Sequence, residues 1–105
     1  MEQIIEIVNF KLVDGVKEAD FLAAAKQSQT FVEKLTGFLY RSLSVNESNG
    51  TWTDTVYWKT ITDAKVAAEA FWEHKECQAF MAFIEHKSVN MQHQSIKMDS
   101  GCTTS

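Results

Sequence analysis

Residues 37–59 read GFLYRSLSVNESNGTWTDTVYWK, and this stretch decides the fold. Asn49-Gly50 is a strong signal for a two-residue turn, because a type I′ turn needs positive φ at both central positions. Thr, Val, Tyr and Trp crowd the segment after it, as in a strand. A turn on Asn49-Gly50 sets Ser48 against Thr51, Val45 against Asp54, Leu43 against Val56 and Arg41 against Trp58. One face of this hairpin then carries Leu39, Arg41, Leu43, Val45, Asp54, Val56 and Trp58. The other carries Phe38, Tyr40, Ser42, Ser44, Thr53, Thr55 and Tyr57. Neither face is plainly polar, so the sheet needs cover on both sides.

The flanking elements supply that cover. Ile4 to Leu12 is rich in β-branched residues and ends at the turn pair Asp14-Gly15. Glu6, Val8, Phe10 and Leu12 share one face of this strand; Ile5, Ile7, Asn9 and Lys11 share the other. Between Lys17 and Leu35, the residues Phe21, Leu22, Ala25, Ser28, Val32 and Leu35 recur at helical intervals. Gly37 follows as the left-handed cap, and no polar N-cap precedes the helix. A second helix starts near Thr62 or Asp63, with Ala64, Ala67, Ala68, Phe71 and Trp72 as its stripe. Its phase is lost at His74–Glu76 and resumes at Ala79, Phe80, Phe83 and Ile84, which predicts a bend or two short helices. Ser88 to Met98 reads as a last strand, with Val89, Met91 and His93 on one side.

The order is β-α-β-β-α-β. This predicts an α+β, ferredoxin-like domain over residues 1–99 with a polar tail at 100–105. Right-handed crossings place both helices on one face of a four-stranded antiparallel sheet. The opposite face keeps Ile5 and Ile7, and an apolar sheet face left open marks an association surface. The expected assembly is a homodimer whose sheets close face to face as an α/β barrel.

Composition narrows the function. Hydrophobic residues make up 45% and charged residues 23% of the 105 positions, an ordinary soluble balance. The net charge of −4 argues against a nucleic-acid partner. No apolar run approaches a membrane span, and the first residues lack a signal-peptide pattern, so a cytoplasmic location is expected. Cys77 and Cys102 have no zinc-type spacing and read as free thiols, Cys77 in the core and Cys102 in the tail. No nucleophile–base pair, phosphate loop or HExxH pattern is visible, and no cofactor or metal is expected.

The frame Val8-Asn9-Phe10-Lys11, then Gly37 to Leu43, then Thr51 to Lys59 before an Ala-rich helix, resembles antibiotic biosynthesis monooxygenase-like proteins. The resemblance spans residues 3–98 and implies a dimeric α/β barrel with a small apolar cavity in each protomer. It implies cofactor-free oxygenation of an aromatic substrate, or a haem-degrading branch, among its activities. Asn9 and Trp72 match the asparagine and tryptophan of the haem-degrading branch. Its histidine is not matched, because Phe83, Ile84 and Glu85 stand near that place while His74 falls early and His86 late.

The candidate catalytic residues are Arg41, Asn9 and His93. Arg41 is the only arginine; its fork suits a carboxylate or developing oxyanion, or else a structural role, as an ion pair with Asp54 or Glu6 or stacked on Trp58. Asn9 is an amide in a strand, where asparagine is disfavoured. His93 is the only strand histidine and could act as a base, with no orienting carboxylate evident; His74 and His86 read as solvated. Tyr57, Trp58 and Trp72 are the candidate ligand-binding aromatics. Two alternatives stand beside an oxygenase: a barrel that binds a small apolar or aromatic molecule without turnover, and a structural dimer filled by its own aromatics.

Overall fold

A computed structural model describes residues 3–101. The expectations for Cys102 and the rest of the tail, 102–105, lie outside the described residues. The elements are β1 (Ile4–Phe10), α1 (Glu18–Val32), β2 (Phe38–Asn46), β3 (Thr51–Trp58), α2 (Ile61–Glu73), a 3₁₀ turn at Lys75–Cys77, α3 (Gln78–Ala82), a 3₁₀ turn at His86–Ser88, and β4 (Asn90–Ser95). The four strands form one antiparallel sheet in the order β2-β3-β1-β4, the ferredoxin-like arrangement read from the sequence.

Cross-strand rows sort the side chains. On the face under the helices they are Phe38–Trp58–Ile4–Ser95, Arg41–Val56–Glu6–His93, Leu43–Asp54–Val8–Met91 and Val45–Trp52–Phe10. Ile4, Glu6, Phe10, Trp52, Asp54, Val56 and Trp58 are buried there. The opposite face presents Tyr40–Tyr57–Ile5–Gln94, Ser42–Thr55–Ile7–Gln92 and Ser44–Thr53–Asn9–Asn90.

Two details of the hairpin differ from expectation. The connection is a four-residue loop, 47–50, closed by Asn46 and Thr51. Gly50 has φ +73°, but no non-glycine residue has positive φ, so Asn49 does not form a type I′ turn. Asn46 organises the loop instead: its Oδ1 accepts from the Ser48 N–H at 3.0 Å, and its carbonyl accepts from the Gly50 N–H at 2.8 Å. The register moves by two residues, pairing Arg41 with Val56 and Leu43 with Asp54. An even shift preserves the face of each side chain. The second difference is a bulge between Phe38 and Tyr40, which turns Phe38 inward against Trp58 with ring centroids 5.9 Å apart.

Helix α1 buries Phe21, Ala24, Ser28 and Val32, and Lys17 at its N-cap makes no side-chain cap bond. Helix α2 is capped by Thr60, ahead of both expected candidates, Thr62 and Asp63. The Asp63 N–H donates to Thr60 Oγ1 at 3.0 Å, an ordinary threonine N-cap. The loss of phase at His74 is a real break between α2 and α3. The His74 ring stacks on Phe31 at 3.8 Å, and its Nδ1 accepts the Glu76 N–H at 3.1 Å, so this histidine is a structural cap and not a solvated side chain. Strand β4 is shorter than expected at both ends.

Phe21 is the hub of one apolar cluster. It lies 5.0 Å from Trp52 and from Phe80, and 5.8 Å from Phe10, with Cys77 buried as a free thiol in the same cluster. Burial pushes the Cys77 thiol up to about 11, so it serves here as a small apolar side chain. A second cluster joins Ile4, Val32, Val56, Trp58, Ala64 and Ala67.

Gly37 has φ +83°, and a Cβ there would collide with the Asp63 carboxylate; a Cβ at Gly50 would meet nothing within 4 Å. Gly50→Ala carries only the left-handed backbone cost, on the order of 1–3 kcal/mol. Gly37→Ala adds a steric clash with the start of α2, so in urea denaturation it loses clearly more stability than Gly50→Ala.

Candidate functional site

A cavity of about 330 Å³ lies between the sheet and the helices, with walls drawn from both apolar clusters. Val8, Phe10 and Val56 line it from the sheet, Ala67, Ala68 and Phe71 from α2, and Phe80 from α3. Trp72, 59% exposed, and the exposed Val89 and Met91 also belong to its lining and mark its solvent side. The only carboxylates in the lining are Glu6 and Asp54, and each is paired.

Arg41 and Asp54 form a bidentate ion pair. Nε donates to Oδ1 at 3.0 Å and Nη2 to Oδ2 at 2.7 Å, with the two side chains 7% and 10% exposed. Nη1 donates to Ser28 Oγ at 3.0 Å and to Gln29 Oε1 at 3.3 Å, tying the pair to α1. Ser28 completes its own bonding by donating to the Ala25 carbonyl at 2.7 Å. The guanidinium lies 5.2 Å from the Phe80 ring centroid. Of the two roles open to Arg41 from the sequence, this geometry is that of the structural pair with Asp54.

His93 has a carboxylate partner that the sequence did not reveal. Glu6 stands directly opposite it in the β1–β4 register, with Nε2 and Oε2 2.9 Å apart. Glu6 lines the cavity, whereas His93 flanks it at the sheet edge. Burial raises the Glu6 carboxyl above its ordinary 4.5, while the hydrogen bond and charge of His93 oppose that rise. The Trp58 N–H makes no regular hydrogen bond, yet it is close enough to Glu6 to favour the ionised carboxylate.

Arg41, Trp58 and Trp72 therefore meet in one cavity, with His93 behind Glu6. Asn9 and Tyr57 do not join them, since both lie on the opposite face of the sheet. Asn9 Nδ2 donates to Thr53 Oγ1 across the strands at 2.8 Å. Tyr57 packs edge-on against Tyr40 with centroids 5.8 Å apart. His86 is not simply solvated, because it borders the cavity and its Nε2 lies 3.2 Å from the Met81 carbonyl. A carbonyl only accepts, so that nitrogen carries the hydrogen. Among the described residues, no three His, Cys, Asp or Glu side chains converge as a metal site requires, and no helix is long and apolar enough to cross a membrane.

The arrangement of sheet and helices is the fold of antibiotic biosynthesis monooxygenase-like proteins. Among solved structures, the chain is similar to a candidate antibiotic biosynthesis monooxygenase from Bordetella bronchiseptica, at 20% identity and TM-score 0.77, covering 93% of this chain and 100% of that one. It is also similar to SnoaB, a cofactor-independent oxygenase from Streptomyces nogalater, at 10% identity and TM-score 0.73, covering 95% and 98%. A candidate antibiotic biosynthesis monooxygenase from Caulobacter crescentus matches at 12% identity and TM-score 0.72, covering 92% of each chain. At these identities the likeness is one of fold. No family model and no curated protein matches the sequence.

Two predictions follow from the paired charges. Arg41→Ala strands Asp54 in the interior and costs on the order of 3–5 kcal/mol in urea denaturation. Arg41→Met combined with Asp54→Leu recovers most of that loss, because apolar side chains of similar size need no partner. Glu6 sets a pH dependence. The unfolded chain releases its proton near 4.5 and the folded chain only at a higher pH. Rising pH through that interval favours the unfolded chain. The contribution from Glu6 is thus complete below 4.5 and lost above the folded value. Melting temperature measured against pH shows wild type falling relative to Glu6→Gln across that window.

Proposed function

We propose that this protein binds a small, largely apolar or aromatic molecule in the cavity and acts on it as a cofactor-free monooxygenase. The observation that carries the reading is a largely apolar cavity of about 330 Å³ whose wall holds the Glu6 carboxylate, backed by His93, beside the closed Arg41–Asp54 ion pair. Cofactor-free oxygenation needs an electron-rich anion made from the substrate, so a proton acceptor beside an apolar pocket is its minimal equipment. Trp58, Trp72, Phe71 and Phe80 supply the aromatic surface. The proposed acting molecule is a homodimer. The outer face carries Tyr40, Tyr57, Ile5 and Ile7 beside Ser, Thr, Asn and Gln side chains, and a second copy laid on that face would bury them.

One observation favours simple binding without turnover. Arg41 is committed to Asp54, Ser28 and Gln29. The only guanidinium in the chain is thus not held in reserve for a substrate anion.

Native mass spectrometry tests the shared part of both readings. The expected result is a dimer carrying extra small-molecule mass, with that mass lost in Ala68→Phe, which fills the cavity. The released molecule, returned to the protein under ¹⁸O₂ without added metal or flavin, gains the label if the protein is an oxygenase. Binding without label leaves the binding reading. A bare monomer that takes up no aromatic probe overturns both.

A further inference from the structure

The sequence directs attention to His93 as the base, but the cavity touches a different atom. Glu6 is 7% exposed and lines the cavity; His93 sits behind it on the edge strand β4. Glu6 Oε2 is used by His93 at 2.9 Å, and none of the protein hydrogen bonds described above uses Oε1. We propose that Glu6 is the group that exchanges a proton with the molecule in the cavity, and that His93 is a positioning residue that keeps Glu6 ionised. This rests on the cavity being a ligand site, and it names the ligand class as a small apolar carbon acid, such as a ketone with acidic α-hydrogens.

The step balances without a co-reactant. The ligand C–H bond breaks, its electron pair stays on the ligand as an enolate, and the proton passes to a Glu6 oxygen. Reprotonation reverses it. A general base has to reach the proton it takes, and Glu6 meets this condition where His93 does not. A carboxylate among apolar walls is also a stronger base than one in water, since burial disfavours its charge. Left alone, burial would favour the protonated form and remove the base. The groups facing Glu6 decide the balance. His93 on β4 and the Trp58 N–H on β3 support the ionised form, while Asp54 on β3 opposes it, itself neutralised by Arg41 on β2. From α1, α2 and α3 the lining is apolar, with Val32, Ala67, Ala68, Phe71, Trp72 and Phe80, and the other titratable side chain at the cavity is His86, on the 3₁₀ turn before β4, with Nε2 turned to the Met81 carbonyl.

The probe is 2-tetralone, a compact bicyclic ketone with acidic α-hydrogens. Its binding is followed by quenching of tryptophan fluorescence, and its hydrogen–deuterium exchange in D₂O by proton NMR, over a range of pD. Wild type is expected to accelerate exchange on the order of 10²-fold or more over buffer, and Glu6→Gln to fall to the buffer rate while still binding the probe. His93→Ala is expected to keep the maximal rate with its pD midpoint moved upward, and His93→Gln, which restores a hydrogen-bond donor, to move it back toward wild type. A merely structural role for His93 would lower the rate without moving the midpoint. Exchange unchanged in Glu6→Gln, or lost at every pD in His93→Ala with Glu6 intact, overturns the assignment while the cavity reading stands. Failure of 2-tetralone to bind wild type overturns the ligand class. Failure of the cavity reading is read separately, from the native mass spectrum of the unfilled and Ala68→Phe proteins.

Discussion

The buried pairing of charge is the constraint on which the structure depends. The face of the sheet under the helices carries Arg41, Asp54, Glu6 and His93 where apolar residues would be expected. An unpaired charge in that layer would cost several kcal/mol, so each must find a partner of opposite charge or a hydrogen bond. The partners lie on neighbouring strands: Arg41 on β2 with Asp54 on β3, and Glu6 on β1 with His93 on β4. A slip of either strand pair would part the charges, so the pairs hold the register as well as the layer. Ser28 and Gln29 extend the first pair into α1, which makes helix and sheet share one polar anchor within an apolar interface.

Much of this was legible in the chain. The strand and helix periods gave β-α-β-β-α-β, and the break after Glu73 showed as a loss of helical phase. The face assignments of the hairpin hold from Tyr40 onward even though its register was displaced, because the displacement is two residues; Phe38, placed on the outer face, turned inward at the bulge. What escaped has identifiable causes. Asn46 out-competed Asn49-Gly50 by making its own side-chain turn, which no dipeptide signal captures. Thr60 caps α2 through its hydroxyl, one threonine earlier than Thr62 and Asp63, which the helical pattern had singled out. The Arg41–Asp54 pair was accessible, since both residues sit on the same face of one hairpin. The Glu6–His93 pair was not, because its members are 87 positions apart and meet only through the β1–β4 register. The signal that could have found it is Glu6 itself, a carboxylate between Ile4 and Val8 on the apolar side of a strand.

The separation of Asn9 and Tyr57 from the cavity shows how fold and chemistry part company. A sheet has two faces, and residues adjacent along a strand serve different compartments. The three solved structures named above match this chain at TM-scores above 0.7 with only 10–20% identity, so the backbone is retained while most side chains differ. Activity on such a frame is a property of those side chains. In this chain the cavity is aromatic and aliphatic apart from its paired charges and the bordering His86, and that combination suits a molecule with little polarity of its own.

The break between α2 and α3 has a geometric consequence. Phe71 and Phe80 are nine residues apart. In one continuous helix they would lie about 13 Å apart along the axis and on opposite sides of it. Instead their rings stand edge to face at 5.8 Å, and both line the same space. The wall is thus made by the bend at 74–77 more than by the choice of aromatic residues. Insertion or deletion of a single residue in that bend would re-aim α3 as a body and reshape the interior wholesale. Substitution within the helices could only trim it. A lineage with this frame therefore has two scales of change open to it, one that redraws the volume and one that adjusts its lining.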